Sequence, residues 1–267
     1  MRIDILTLFP DMMMTYLGQS IIGRALKNGK VEIACHNIRD YTLNKQKQVD
    51  DAPYGGRRGM LMNAQPIYDC FRAVCDMTGT RPHLIYMSPA GKILTQQRIR
   101  ELSEMDNIAI LCGHYEGVDE RVIEEIVDEE ISIGDYVVTG GELPALILAD
   151  GISRMCEGVL AEKSGYEEES HYGGLLEFPQ YTRPEVWNGR KVPEVLLSGH
   201  HANIQKWKLE QAEKRTMERR PDMWEKYLAA KPPEPEKKKR RRRTATRPED
   251  QADTSAPAGG SGEDSSD

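Results

Sequence analysis

The sequence predicts an α/β fold with a mainly parallel sheet, and three observations predict it. Short apolar runs alternate with helix-period stretches to about residue 157. Glycines and turn pairs fall where those runs end, which puts loops at the carboxyl ends of the strands. From about Leu175 the apolar pattern follows a long helix instead, so a small helical C-terminal domain is expected.

Ile3, Ile5, Leu6 and Leu8 make a first strand, ended by Pro10. Ser20 can cap a helix through Ile21, Ile22, Ala25 and Leu26, with Gly29 as its stop. Val31, Ile33 and Cys35 alternate as a second strand. Residues 37–63 form a long polar segment without a period, and long loops inside a domain are usually functional or disordered. A helix beginning at Pro66 carries Ile67, Phe71 and Val74. Leu84, Ile85 and Met87 give a strand that ends at Ser88-Pro89. Thr95 can cap a helix with Ile99 and Leu102. Ile108 to Leu111 is a strand ending at Cys112-Gly113, and Asp119 can cap a helix with Val122, Ile123 and Ile126.

The stretch from Glu130 to Leu146 is the most informative. Ile131 and Ile133 alternate around Ser132 as a strand end, and Gly134-Asp135 is a turn pair. Gly140-Gly141 admits dihedrals barred to other residues, and Pro144 suits the first turn of a helix. Leu146, Ile147 and Met155 can supply that helix's buried face. Such a loop exposes main-chain amides and can hold a small ligand; a tight turn is the plainer alternative. The loops at 86–91 and 113–117, expected at the same edge, favour the ligand.

Four segments follow from composition and pattern: 1–159, a linker at 160–174 read as mobile, a helical unit at 175–230, and a tail at 231–267. The main helix of the third starts near His201 and runs through Ile204, Trp207 and Met217. Between His200 and Arg220 it holds six Lys or Arg against three Glu, and Arg220-Pro221-Asp222 breaks and restarts it. The tail cannot bury enough surface to fold. Its basic run, Lys237 to Arg243, is either a solvated face or a source of salt-screened RNA affinity.

Bulk numbers exclude several classes. A net charge of -7 argues against a protein coated in positive potential, though not against a local basic patch. The five cysteines are odd in number and scattered, which suits a reduced, cytoplasmic compartment. The N-terminus has no adequate apolar signal region, and no apolar run reaches membrane-spanning length. No glycines follow the first strand, as the common dinucleotide folds require, and the phosphate-cradling loop of ordinary NTPases is absent. His200 and His201 are adjacent and face apart, and the other histidines stand alone, so no metal site is expected. Arg154, about one helix length after Gly140-Gly141, is either a snorkelling surface residue or a buried cation with a task. Glu167, Glu168 and Glu169 form a solvated linker face, or carboxylates that raise one another's pKa if ordered together.

Five motifs resemble bacterial tRNA (guanine-N1)-methyltransferases: YMSPAGK at 86–92, LCGHYEGVDERV at 111–122, ISIGDYVVTGGELPAL at 131–146, GLLEFPQYTRPEVW at 174–187 and VPEVLLSGHH at 192–201. The match covers about residues 1–228. It implies S-adenosylmethionine-dependent methylation of N1 of the guanosine 3′ of the anticodon in tRNA, position 37. It also implies a deep trefoil knot in the sheet and a homodimer that shares the site across its interface. By position, the cofactor loops map to Tyr86, Met87, Ser88 and Pro89, then Gly113, Tyr115 and Glu116. The third loop maps to Ile133, Gly134, Asp135, Tyr136, Val137 and Val138, with Gly140, Gly141 and Pro144. Guanine N1 must lose a proton before it is a good nucleophile, and O6 gains charge as it does. A carboxylate and an Arg meet both needs; the resemblance assigns them to Glu169 as base and Arg154 as O6 stabiliser. The family carries Asp at the base position, so Glu168, Glu177 or His171 are alternatives. The family's Gly-Gly-Gly reads Gly55-Gly56-Arg57-Arg58 here, and two arginines there can clamp tRNA phosphate. A non-catalytic RNA-binding protein on the same fold is the competing reading.

Overall fold

The computed structural model describes residues 1–56, 58–160, 166 and 168–231. Arg57, Glu167 and the basic run Lys237 to Arg243 lie outside the described residues.

The chain opens with β1 (Arg2–Thr7), α1 (Pro10–Leu17), α2 (Ser20–Lys27) and β2 (Glu32–Asn37). After a short 3-10 turn, two-residue strands β3 (Asp50–Asp51) and β4 (Leu61–Met62) pair antiparallel. Then come α3 (Ala64–Thr78), β5 (His83–Ile93), α4 (Gln96–Ser103), β6 (Asn107–Cys112), α5 (Glu120–Ile126), β7 (Glu129–Ser132) and α6 (Glu142–Met155). The main sheet has the order β2-β1-β6-β5-β7, and every neighbouring pair in it is parallel. Parallel sheets of this kind are covered on both faces, and two buried clusters show the cover. On one face Ile3, Ile5, Ile108 and Ile110 meet Leu17, Leu102, Leu148 and Ile152. On the other, Leu6, Leu84 and Leu111 meet Ile67, Phe71 and Val122. Successive strand residues go to opposite faces, so a continuous apolar run serves both layers.

The C-terminal part contains β8 (Val186–Trp187), β9 (Arg190–Lys191), α7 (Glu194–Leu197), α8 (His201–Arg219) and α9 (Pro221–Ala230). β8 and β9 form a hairpin whose turn, Asn188-Gly189, has φ of +49° and +75° at its two positions. Both central residues of the favoured tight hairpin turn need positive φ, which Asn-Gly supplies. That dipeptide is the signal by which the hairpin could have been read. Arg220 ends α8 and Pro221 opens α9, as the sequence indicates.

Several local expectations change. Pro10 does not only end β1; it is the first residue of α1, where its missing amide costs nothing. Ser20 is not a cap but the first residue of α2, with φ +53° and no capping bond at Gln19. Gly29 does follow the end of α2 in a left-handed conformation, φ +66°. β5 continues past Ser88-Pro89 to Ile93. Its pairing with β7 skips from Met87 to Lys92, so the proline lies in an irregularity where no ladder bond is lost. In α6, Ile147 points outward, and Ala145, Leu148, Ala149 and Ile152 make the buried face with Leu146. The caps at Thr95 and Asp119 form, accepting from the amides of Arg98 at 3.2 Å and Arg121 at 3.0 Å.

Candidate active site

Three loops leave the carboxyl ends of β5, β6 and β7 side by side, at the edge where ligands bind on parallel sheets. They enclose a cavity of about 470 Å³, within the usual size range of small-molecule sites. Tyr86, Met87, Ser88 and Pro89 line it from the first loop, and Gly113, Tyr115 and Glu116 from the second. Ile133, Tyr136, Val137, Val138, Gly140, Gly141 and Pro144 line it from the third. Gly134 and Asp135 do not line it. Gly134, with φ +143°, instead turns the chain, and its carbonyl accepts from Ser132 Oγ at 3.1 Å and from the Tyr136 amide at 2.9 Å. The wall also includes residues that the motif mapping did not assign, among them His114, Glu120, Glu130 and Thr139.

Close approach, not unusual dihedrals, explains the paired glycines. Gly141 has ordinary helical angles, φ -74° and ψ -7°. A Cβ there would sit 2.8 Å from Cys112 Cα and from the Gly113 amide nitrogen. A Cβ on Gly140 would meet His114 Nδ1 at 2.6 Å. The contact this permits is a 2.7 Å bond from the Gly141 amide to the Gly113 carbonyl, which joins the third loop to the second. The second loop is also bonded to β4: the Met62 amide donates to Gly117 carbonyl at 3.0 Å, and the Glu116 amide to Met60 carbonyl at 3.0 Å. Tyr115 holds φ +60°, a strained value for a non-glycine, with its hydroxyl bonded to Arg39 Nη2 at 3.2 Å. Tyr86 is buried at the cavity wall, and burial, then the charges of Glu130 and Glu120, push its phenol up to about 12.

Arg154 and Glu169 do meet. Arg154 Nη1 donates to Glu169 Oε2 at 2.8 Å, and Nη2 to Oε1 at 2.7 Å, a bidentate pair. Each side chain is about one third exposed (33% and 35%). The hydrogen bonds to Glu169 raise the Arg154 guanidinium further, so it stays a cation. Neither residue lines the cavity of this chain. Glu168 pairs instead with Lys208 of α8, at 2.8 Å. Of the other candidate bases, Glu177 donates its backbone amide to Ser170 Oγ at 3.0 Å, and His171 has φ +75°. Tyr172 lies under the Arg100 guanidinium at 4.9 Å, which fastens this segment to α4.

Among the described residues no group of three His, Cys, Asp or Glu gathers to hold a metal ion. Among them, too, no helix is long and apolar enough to cross a membrane.

Residues 1–226 match the family described as tRNA (Guanine-1)-methyltransferase TrmD. The chain is 57% identical over 226 residues to a tRNA (guanine-N(1)-)-methyltransferase of Ruminiclostridium cellulolyticum, covering 85% of this chain and 97% of that one. It is 53% identical over 228 residues to one of Lachnospira eligens, covering 85% and 97%. To one of Clostridioides difficile it is 50% identical over 227 residues, covering 85% and 98%. With residues 1–226 matched by the family's model and relatives 50–57% identical over nearly their whole length, this chain belongs to the tRNA (guanine-1)-methyltransferase family.

Proposed function

We propose that the chain is a tRNA (guanine(37)-N1)-methyltransferase that takes its methyl group from S-adenosylmethionine. The observation that carries this reading is the three-loop cavity, whose Gly113, Gly140 and Gly141 let the loops approach so closely that an added Cβ would strike Tyr86, His114 or Cys112. A cradle of close-approaching backbone fits a cofactor held by main-chain groups and shape. Bound there, S-adenosylmethionine supplies an electrophilic methyl on a sulfonium. Tyr86 to Pro89, then Gly113, Tyr115 and Glu116, and then Ile133 with Tyr136 to Val138 would hold it, with Gly134 turning the third loop. Holding donor and guanine in line supplies much of the rate.

Glu169 accepts the N1 proton, and Arg154 stabilises the charge that develops on O6. In the present arrangement the two groups satisfy each other. Guanine must part them, turning the guanidinium to O6 and the carboxylate to N1–H. The pair lies off this chain's own cavity, so we propose that a second copy brings it to the cavity across a homodimer interface. Exposed apolar side chains on two packed helices support that: Phe9, Met12 and Tyr16 at α1, and Leu143 and Ile147 on α6. The extension of β5 over β7, with the Leu94 amide bonded to Ser132 carbonyl at 2.8 Å, and the Gly141–Gly113 bond support a trefoil-knotted crossing of the three loops. We further propose a helical RNA-binding unit at 175–230, joined through residues 160–174, and action in the cytoplasm.

The test is methyl transfer from labelled S-adenosylmethionine to unmodified tRNA, with the product base mapped. Glu169→Ala and Arg154→Ala should each lower the rate by about 10²-fold or more. Unchanged rates would remove both residues from the chemistry, and a product methylated elsewhere would remove the reading.

A further inference from the structure

Behind the second and third loops lies a polar cluster that the proposed chemistry does not use. Glu142, in the first turn of α6, is only 4% exposed. Its Oε1 accepts from Thr7 Oγ1 at 3.0 Å, and Thr7 Oγ1 in turn accepts from the Phe9 amide at 3.0 Å. Its Oε2 faces His114 Nδ1 at 3.7 Å. That ring nitrogen is buried and has no hydrogen-bond partner. The His114 ring is edge-packed by Phe9, with centroids 5.1 Å apart, and by Tyr115 at 5.0 Å. Gly140 leaves the gap between carboxylate and imidazole open, since a Cβ there would strike His114 Nδ1 and Glu142 Oε2.

A carboxylate is not buried without compensation. Thr7 and the positive end of α6 compensate one side of Glu142. The other oxygen is left for His114, and the distance is one short movement from a hydrogen bond. His114 is the residue between Gly113 and Tyr115, both on the cavity wall. We infer that Glu142 is a positioning residue for the methyl-donor cavity: anchored by Thr7, its carboxylate accepts a hydrogen bond from His114 Nδ1–H and so fixes the 113–117 loop in its donor-binding shape. The contact closes as the donor enters, drawing the second and third loops together about Gly140. This rests on the cavity being the S-adenosylmethionine site, as proposed above. The tautomer follows: a carboxylate partner demands a proton on Nδ1.

The test uses the full chain. Donor and tRNA affinities are measured by calorimetry for wild type, Glu142→Gln, His114→Asn and the double variant, with nitrogen NMR of the His114 imidazole. Glu142→Gln should weaken S-adenosylmethionine about tenfold and leave tRNA affinity unchanged. In the donor-bound wild type Nδ1 should carry the proton, and in Glu142→Gln that preference should be lost. The double variant should bind donor no worse than the weaker single variant. If Glu142→Gln is too unstable to purify, Thr7→Val removes the anchor from the other side and should give the same selective loss. Wild-type donor affinity in these variants, or losses that add, would overturn the positioning role. A wild-type chain that binds no donor would instead overturn the function proposed for the cavity, and this inference with it.

Discussion

Asp4 lies in the middle of β1 with its side chain wholly buried, yet it stays charged. Burial alone would raise its carboxyl, but bonds from His36 at 2.7 Å and from Arg2 at 2.8 and 2.9 Å hold it below the usual carboxylate range. Its folded pKa is therefore lower than its unfolded one, so its stabilising contribution is fully present above about pH 4 and is lost as pH falls through the folded value. Asp4→Asn should cost about 3 kcal/mol at pH 7, because it leaves the partly buried Arg2 and His36 without their anion. Urea unfolding at pH 7 and near pH 3 measures this; the gap between variant and wild type should narrow in acid. A gap that does not change with pH would mean the carboxylate acts through shape alone. The same scale explains Gly140 and Gly141. Their role is legible as glycine from the sequence, but the reason is contact with Cys112, Gly113 and His114, which lie more than twenty residues away in the chain.

At the scale of elements, α8 is the one whose composition suggests nucleic acid. Its Lys208 is not free: it pairs with Glu168 and lies 4.7 Å over the Phe178 ring. Lys206 pairs more loosely with Glu210, at 3.8 Å on the same helix. The exposed Lys206–Glu210 pair is weak, the Lys208–Glu168 pair is half open to solvent at its carboxylate, and phosphate can displace both. Charge reversal at Lys206 and Lys208 should weaken tRNA binding and reduce the slope of log affinity against log salt by about two. An unchanged slope would make α8 a structural support. Glu168 is adjacent to Glu169, so an RNA phosphate that draws Lys208 away should also loosen the segment that carries the proposed base.

For the whole molecule, the proposed site is incomplete in one chain, since the Arg154–Glu169 pair is off the cavity. The apolar patch on α1 and α6 is the surface a second copy would cover. Tyr16 and Asp150 cross between those helices at 3.2 Å, so the patch is presented by elements already bonded to each other. Met12→Glu with Ile147→Glu should convert a dimer to a monomer in sedimentation and abolish methyl transfer, while donor affinity falls less. A monomeric wild type with full activity would sink the shared site.

The sequence by itself determined the alternation of strand and helix and the three carboxyl-edge loops, because those depend on local periodicity and on turn chemistry. Motif resemblance added the family. It did not reveal α1, the continuation of β5 past Pro89 or the β8–β9 hairpin, where packing and pairing overrode the plain reading of a proline or hid behind a single Asn-Gly. Only the tertiary structure decided that Glu142 reaches back to Thr7, that Gly140 parts it from His114, and that Glu169 is clasped by Arg154. These are contacts between residues distant in sequence, and the free energy of such a contact belongs to the pair in space, so no local pattern can carry it.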